Sequence, residues 1–411
     1  NKMSLNNVKV VKKDGTKEEF NVQKVVVAVN KSAYRALIKF SQKDIDFICH
    51  FVEEKVEELG VNEIRIPEMH NIVEGALEKV NPIVAKSYRD YRNYKQDFVQ
   101  MLDEVYKKSQ SIMYIGDKEN SNTDSALVST KRSLIFNELN KELYKKFFLT
   151  VEELQAIREG YIYIHDMSAR RDTMNCCLFD VKSVLTGGFE MGNLWYNEPK
   201  TLDTAFDVIG DIVLSAASQQ YGGFTVPSVD EILEPYAKRS HENHLNKYRS
   251  LGLSEEVAQE VAWKDLEKEM EQGFQGWEYK FNSVSSSRGD YPFITMTSGT
   301  NISEYGKLVT KTMLEVRAGG QGKPGHKKPV LFPKIVFLYD ENLHGPGKPG
   351  EDLFEAGIEC SRKTMYPDWL SLSGDGYVAS IYKKYGKIIS PMGCRAFLSP
   401  WFERGGMEPA D

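Results

Sequence analysis

From residue 161 onward the sequence alternates short apolar runs with long helical segments, and this alternation limits the fold more than any other feature. The runs are "YIYIHD" (161–166), "NCCLFDV" (175–181), "YPFITMTSG" (291–299) and "PVLFPKIVFLY" (329–339). Between them lie "DTAFDVIGDIVLSAASQQ" (203–220), which ends near "YGG", and a charged helical stretch over 228–273. Short apolar strands joined by long helices predict an α/β architecture with a largely parallel sheet or barrel.

The first hundred residues read as a separate α-rich module. "VKVV" and "TKEEF" flank Asp14-Gly15, a hairpin signal. Asn21 is placed to cap a helix over 22–37. Ser41 and Asp44 form a capping box for a helix that Gly60 stops. Pro67 opens a third helix and Pro82 a fourth, through "IVAKSYRDYRNYKQDFVQMLDEVYKK". We therefore expect one domain over 1–100 and a second over 101–411. The polar stretch "GDKENSNTDS" (116–125) reads as a loop, and helical periodicity returns over 136–160.

Composition narrows the function classes. With 411 residues the chain is long enough for two or three domains and a large core. A net charge of -6 provides no global basic field, so neither nucleic acid nor a membrane is expected as a partner. No apolar run is long enough to cross a bilayer, and the N-terminus lacks a signal-peptide pattern, so a cytoplasmic location is expected. The five cysteines (Cys49, Cys176, Cys177, Cys360, Cys394) are odd in number and follow no framework spacing. They read as free thiols in a reducing compartment. The chain begins at Asn1 and stops at "WFERGGMEPAD", which suggests a piece of a longer polypeptide.

Several motifs invite chemistry. "GGQGKPGHKKP" (319–329) has phosphate-loop glycines, but Pro324 follows Lys323 where Ser or Thr is needed, so it reads as a basic loop. His241 and His244 share a helix face, yet no further ligand stands nearby, and a solvated face is expected with no metal ligands. Cys176 and Cys177, on a strand, would point to opposite faces, one to the core and one to a cavity. Packing is the ordinary role of a buried thiol. Cys394, in "GKIISPMGCRAFLSPW" (386–401), reads the same way from composition. Lys12, Lys13 and Lys24 beside a helix start at Asn21 allow either a solvated turn or a phosphate site with backbone donors. Tyr91 and Lys95, four apart on a helix, can face one site, the ring beside a base and the amine beside a phosphate.

At these residues a family resemblance enters. "VKKDG" with Phe20 and Lys24, "PEMHNIVE" and "YRDYRNYK" resemble the ATP-cone, the regulatory nucleotide-binding domain of ribonucleotide reductases. "IHD", "MNCCLFD", "GFEMGN", "YGG", "FPK", "CSRKTMYPD" and "PMGCRAFLSPW" resemble, in order, the anaerobic class III glycyl-radical ribonucleoside-triphosphate reductases.

The resemblance implies a fold and a set of roles. The fold is an incomplete ten-stranded α/β barrel preceded by a small α-rich ATP-cone with a β-hairpin. The activity is reduction of ribonucleoside triphosphates to 2′-deoxyribonucleoside triphosphates, an oxidoreductase reaction, under ATP and dATP control. The alternative is a piece that only binds ATP or dATP, without catalysis. Cys394 matches the cysteine that becomes a thiyl radical and takes the ribose 3′-hydrogen. Cys176 matches the partner that supplies a hydrogen as the 2′-hydroxyl leaves as water. Val10, Lys12, Lys13, Glu18, Asn21, Lys24, His70, Tyr91 and Lys95 match positions that hold ATP or dATP, with Mg²⁺ expected alongside. Lys13 stands where Arg is frequent and keeps the charge without the bidentate fork. The family stores its radical on a C-terminal glycine near a zinc-binding cysteine quartet. Neither is present in this sequence, so both are expected in a missing C-terminal segment. The partners implied are ribonucleoside triphosphates, dNTP effectors, a radical S-adenosylmethionine activase, formate or a small redoxin as reductant, and a second copy in a homodimer, with higher oligomers under dATP. The chemistry suits a thiol: an S–H bond exchanges a hydrogen atom with carbon, and an enclosed cavity keeps the radical from water. Gly393 lets the backbone approach substrate closely.

Overall fold

Helix-start and helix-stop residues decide the N-terminal architecture. In the computed structural model, which describes residues 5–115, 126–171, 173–386 and 391, the chain divides into two units, Asn1–Tyr106 and Lys107–Asp411. In the first, β1 (Lys9–Val11) and β2 (Lys17–Glu19) pair antiparallel around Gly15, whose φ of +83° the turn requires. Asn21 accepts from the Gln23 N–H and opens α1 (Val22–Arg35). The Ser41/Asp44 capping box opens α2 (Gln42–Leu59), and Gly60 closes it at φ 60°.

A third strand, β3 (Glu63–Arg65), pairs parallel with β1. Three residues with one buried side chain, Ile64, carry no sequence period to reveal it. α3 (Ile66–Val80) has Pro67 in its first turn. α4 (Pro82–Ile115) runs 34 residues. Ile48, Val52 and Val56 recur every fourth residue on α2 and are fully enclosed with Val29, Ile64, Val73, Leu77 and Val84. Each such side chain contributes about 1.5–3 kcal/mol over remaining exposed.

The second unit starts with α5 (Val128–Phe148) and α6 (Val151–Arg158). The helical periodicity over 136–160 is thus two helices, split where Thr150 and Glu153 form a capping box. The strand expected over 161–166 is absent: the segment is coil and turn. Tyr161 and Tyr163 are exposed, no neighbouring strand pairs with the segment among the described residues, and Asp166 at φ 52° ends any extension. The loop expected over 116–125 lies outside the described residues.

β4 (Cys177–Leu178) is shorter than "NCCLFDV", because Asp180 caps α7 (Val181–Leu185). Next come the hairpin β5 (Phe189–Met191) and β6 (Leu194–Tyr196), α8 (Leu202–Ala217), β7 (Phe224–Val226), α9 (Val229–Ser250) and α10 (Glu255–Ser283). Then β8 (Ile294–Ser298), α11 (Glu304–Gly319), β9 (Lys334–Tyr339), α12 (Glu341–His344), α13 (Glu351–Thr364), β10 (Asp368–Ser371) and α14 (Tyr377–Tyr385) follow.

Five strands form one parallel sheet in the order β10-β9-β8-β7-β4, so chain order and sheet order agree, with helices in every crossover. That is the α/β arrangement expected, with five parallel strands among the described residues. β8 is buried at every position, and its Ile294 and Met296 belong to one core with Phe206 of α8 and Phe274, Trp277 and Phe281 of α10. The segment 319–329 precedes β9, as expected of a loop before a strand, and is mostly exposed.

The solvated-face expectation for His241 is corrected. α9 packs with α8, α10 and α11, so His241 is buried, with Nδ1 2.8 Å from the Tyr305 hydroxyl. Burial lowers its pKa below the usual imidazole range. His244 reaches Glu269 through Nε2 at 2.9 Å. The helix buries His241 with Nδ1 partnered by Tyr305 and Nε2 left without a hydrogen bond among the described residues, which a polar sequence does not disclose.

Candidate functional site

In the first unit, the strand pair and the α1 start gather five of the sequence-derived residues. Val10 lies opposite Glu18 across the β1–β2 ladder. Glu18 accepts from both Lys12 and Lys24, the latter at 2.6 Å, and the two amines lower its carboxyl pKa. Asn21 holds the start of α1 through a 2.9 Å bond from Gln23 N. Two ammonium groups thus share one carboxylate at a helix N-terminus.

The remaining four cluster around His70 on α3. Its Nδ1 lies 2.6 Å from the Tyr88 hydroxyl on α4. Burial lowers the imidazole pKa, and Arg92, Lys13 and Lys95 lower it further. Arg92 also meets Glu74 at 3.2 Å, whereas Lys13 and Lys95 have no ion-pair partner among the described residues. Tyr91 is half-exposed, with Lys95 Nζ 5.8 Å from its ring centroid and the Arg35 guanidinium 4.0 Å from it. Sequence reasoning missed Arg35, Tyr88 and Arg92. For two of them a signal was present: Tyr88, Arg92 and Lys95 recur at helical spacing. A surplus of cations beside an exposed ring fits a nucleotide, whose phosphates would relieve their repulsion.

In the second unit, Cys176 immediately precedes β4 and Cys177 begins it. The Gly223 N–H donates to Cys176 Sγ at 3.2 Å. The Cys177 thiol donates to Gln220 Oε1 at 2.8 Å. Burial, with Cys176 beside it, pushes the Cys177 thiol up to about 11. Cys49, Cys176, Cys177 and Cys360 are all free thiols. Gly222 admits no side chain, since a Cβ there would lie 2.3 Å from Asn175 Oδ1 and 2.7 Å from Cys176 Sγ.

β7 runs beside β4, and its buried Thr225 donates through Oγ1 to the Pro391 carbonyl at 3.2 Å. Pro391 precedes Cys394 by three residues. Cys394 itself lies outside the described residues. Among the described residues no cluster of His, Cys, Asp or Glu could hold a metal ion, and no helix is long and apolar enough to cross a membrane.

Residues 119–409 match the family model described as anaerobic ribonucleoside-triphosphate reductase, and residues 8–97 match the ATP cone domain. The chain belongs to the anaerobic ribonucleoside-triphosphate reductase family. Within that family, it is similar to the anaerobic ribonucleoside-triphosphate reductase of Haemophilus influenzae, 32% identical over 413 residues, covering 98% of this chain and 56% of the relative. The Escherichia coli reductase is 30% identical over 414 residues, with the same two shares. The chain therefore spans little more than half the length of these curated relatives.

The fold also resembles that of the anaerobic ribonucleotide reductase from Thermotoga maritima, crystallised with glycerol in the active site. The TM-score is 0.50 at 16% identity, covering 75% of this chain and 54% of that one.

Proposed function

We propose that this chain is the effector-binding and cysteine-bearing part of an enzyme that reduces ribonucleoside triphosphates to 2′-deoxyribonucleoside triphosphates. Residues 1–100 act as the ATP-cone and residues 101–411 as the catalytic barrel domain. The observation that carries this reading is the sharing of β7. Its neighbour β4 begins at Cys177, directly after Cys176, and its Thr225 bonds Pro391, which stands three residues before Cys394 in the sequence.

In this reading Cys394 activates the ribose at C3′ and Cys176 supplies a hydrogen from the opposite side. The Gly223 N–H orients the Cys176 sulfur and supports electron density on it. The glycyl radical, when present, supplies the one-electron oxidising equivalent that a closed-shell thiol lacks. Formate or a small redoxin serves as reductant, and a radical S-adenosylmethionine activase as the source of the radical. The working assembly is a cytoplasmic homodimer, with higher oligomers under dATP.

At the cone, Lys12, Lys13, Lys24 and Lys95 meet phosphates, Tyr91 offers its ring to a base, and Val10, Glu18, Asn21 and His70 line the site. ATP and dATP act through differential affinity for two states of the protein.

Calorimetric titration with ATP and dATP tests the regulatory half. Unchanged dATP affinity in Lys24→Ala and His70→Ala would place the site elsewhere. For the catalytic half, the whole polypeptide should lose turnover in Cys176→Ser and in Cys394→Ser. Retained turnover in Cys394→Ser would sink the thiyl mechanism.

A further inference from the structure

We infer that Gln220 is a positioning residue that sets the two adjacent thiols apart, holding Cys177 as a fixed S–H donor and presenting Cys176 as the reactive sulfur. Gln220 is 3% exposed and follows the end of α8. Both halves of its amide are used. Oε1 accepts the Cys177 thiol at 2.8 Å. Nε2 donates to Gly223 O at 2.7 Å and to Gly222 O at 3.3 Å.

The second set of bonds reaches Cys176 indirectly. Gly222 O and Gly223 N belong to one peptide plane. The amide holds the carbonyl edge of that plane, and the opposite edge presents its N–H to Cys176 Sγ at 3.2 Å. The next peptide is fixed as well, because Gly223 O also accepts from Cys177 N at 3.0 Å. Gln220 is itself held from behind: its carbonyl accepts from Arg288, which Asp290 pairs at 3.2 Å. The pairing of Met174 with Gln220 completes the frame.

The consequence for the two sulfurs differs. A thiol whose hydrogen is committed to a buried amide oxygen is held neutral, and the high Cys177 pKa agrees with this. Cys176 Sγ instead accepts the Gly223 N–H at 3.2 Å, and its own hydrogen makes only a long contact to Asn175 Oδ1 at 3.8 Å, so it is less firmly committed than that of Cys177. Adjacent cysteines are otherwise alike in sequence, so the distinction comes from one side chain 43 residues away from Cys177. This assignment rests on the reading of Cys176 as the partner thiol only for its catalytic meaning.

The test uses no turnover, so its failure is distinct from failure of that reading. The reduced chain is treated with iodoacetamide at pH 8, and modification at each cysteine is followed by peptide mass spectrometry. In the wild type Cys176 should react faster than Cys177. In Gln220→Leu, Cys177 should speed up and Cys176 slow down, narrowing the ratio by roughly fivefold to tenfold, as loss of a hydrogen bond predicts. In Gln220→Glu, which keeps the acceptor and loses the donor, Cys177 should stay slow while Cys176 still slows. A faster Cys177 in the wild type, an unchanged ratio in both variants, or equal acceleration of both thiols in either would overturn the assignment.

Discussion

His70 Nδ1 and the Tyr88 hydroxyl stand 2.6 Å apart, tying α3 to α4 where Lys13, Arg92 and Lys95 converge. Burial and these three cations keep the imidazole below its ordinary pKa, while burial pushes Tyr88 up to about 12. The unfolded chain therefore takes the His70 proton first as the pH falls. The contribution to stability is full above the ordinary value, 6.5, and declines as the pH falls below it. Urea midpoints between pH 7.5 and 5.5 should fall more in the wild type than in His70→Gln. Adding ATP should raise the imidazole titration midpoint seen by NMR, because phosphates offset the surrounding cations. An unmoved midpoint would remove His70 from the phosphate site.

Asp230 behaves in the opposite sense. It is fully buried at the start of α9, and burial pushes its carboxyl up to about 6, against the bonds it accepts from Gly299 and Asn301 N–H. Its folded pKa exceeds the unfolded value, so its contribution is fully present below about 3.8 and lost as the pH rises through about 6. Asp230→Asn should flatten the pH dependence of the melting temperature over that window. The same slope in both proteins would show that the carboxyl does not titrate there.

Arg317 and Glu278 form a buried ion pair between α11 and α10, 2.9 Å from Nε to Oε1, with Gln321 holding the second carboxylate oxygen at 2.8 Å. Arg317→Met alone leaves Glu278 charged and enclosed, which should cost about 3–5 kcal/mol in denaturant unfolding. The double variant Arg317→Met with Glu278→Leu should recover much of that loss, because the desolvated charges go together. Additive losses in a double-mutant cycle would contradict the coupling.

Gly222→Ala puts a methyl where Asn175 and Cys176 already stand. It should destabilise the chain by about 1–3 kcal/mol, as overpacking does. It should also shift the alkylation rate of Cys176 while leaving Cys360, buried on α13, unchanged. Equal rates at Cys176 in the two proteins would show that the loop yields without moving the thiol.

What the sequence made legible follows its strong local signals. The Ser41/Asp44 box, the Asn21 cap, the Gly60 stop and the β8 and β9 runs are each written in a few adjacent residues. β3 was not, because a three-residue strand is specified by its neighbour rather than by its own period. "YIYIHD" misled for the complementary reason: its alternation of aromatic and aliphatic residues mimics a strand, yet no partner stands beside it among the described residues. In the candidate site, the cationic residues and the thiols were readable. The residues that hold them, Gln220, Arg288 and Arg35, were not, since their roles arise from contacts across distant stretches of chain.

The bond from Thr225 to Pro391 spans 166 residues of sequence. A chain leaving the ribosome exposes β4 and β7 long before Pro391 exists. At about 5–20 residues per second the delay is roughly ten to thirty seconds. During that interval β4 and β7 are already available to pair, while the segment that includes Pro391 is still being made. The order of synthesis thus makes the tie between Thr225 and Pro391 one of the last long-range contacts the chain can form.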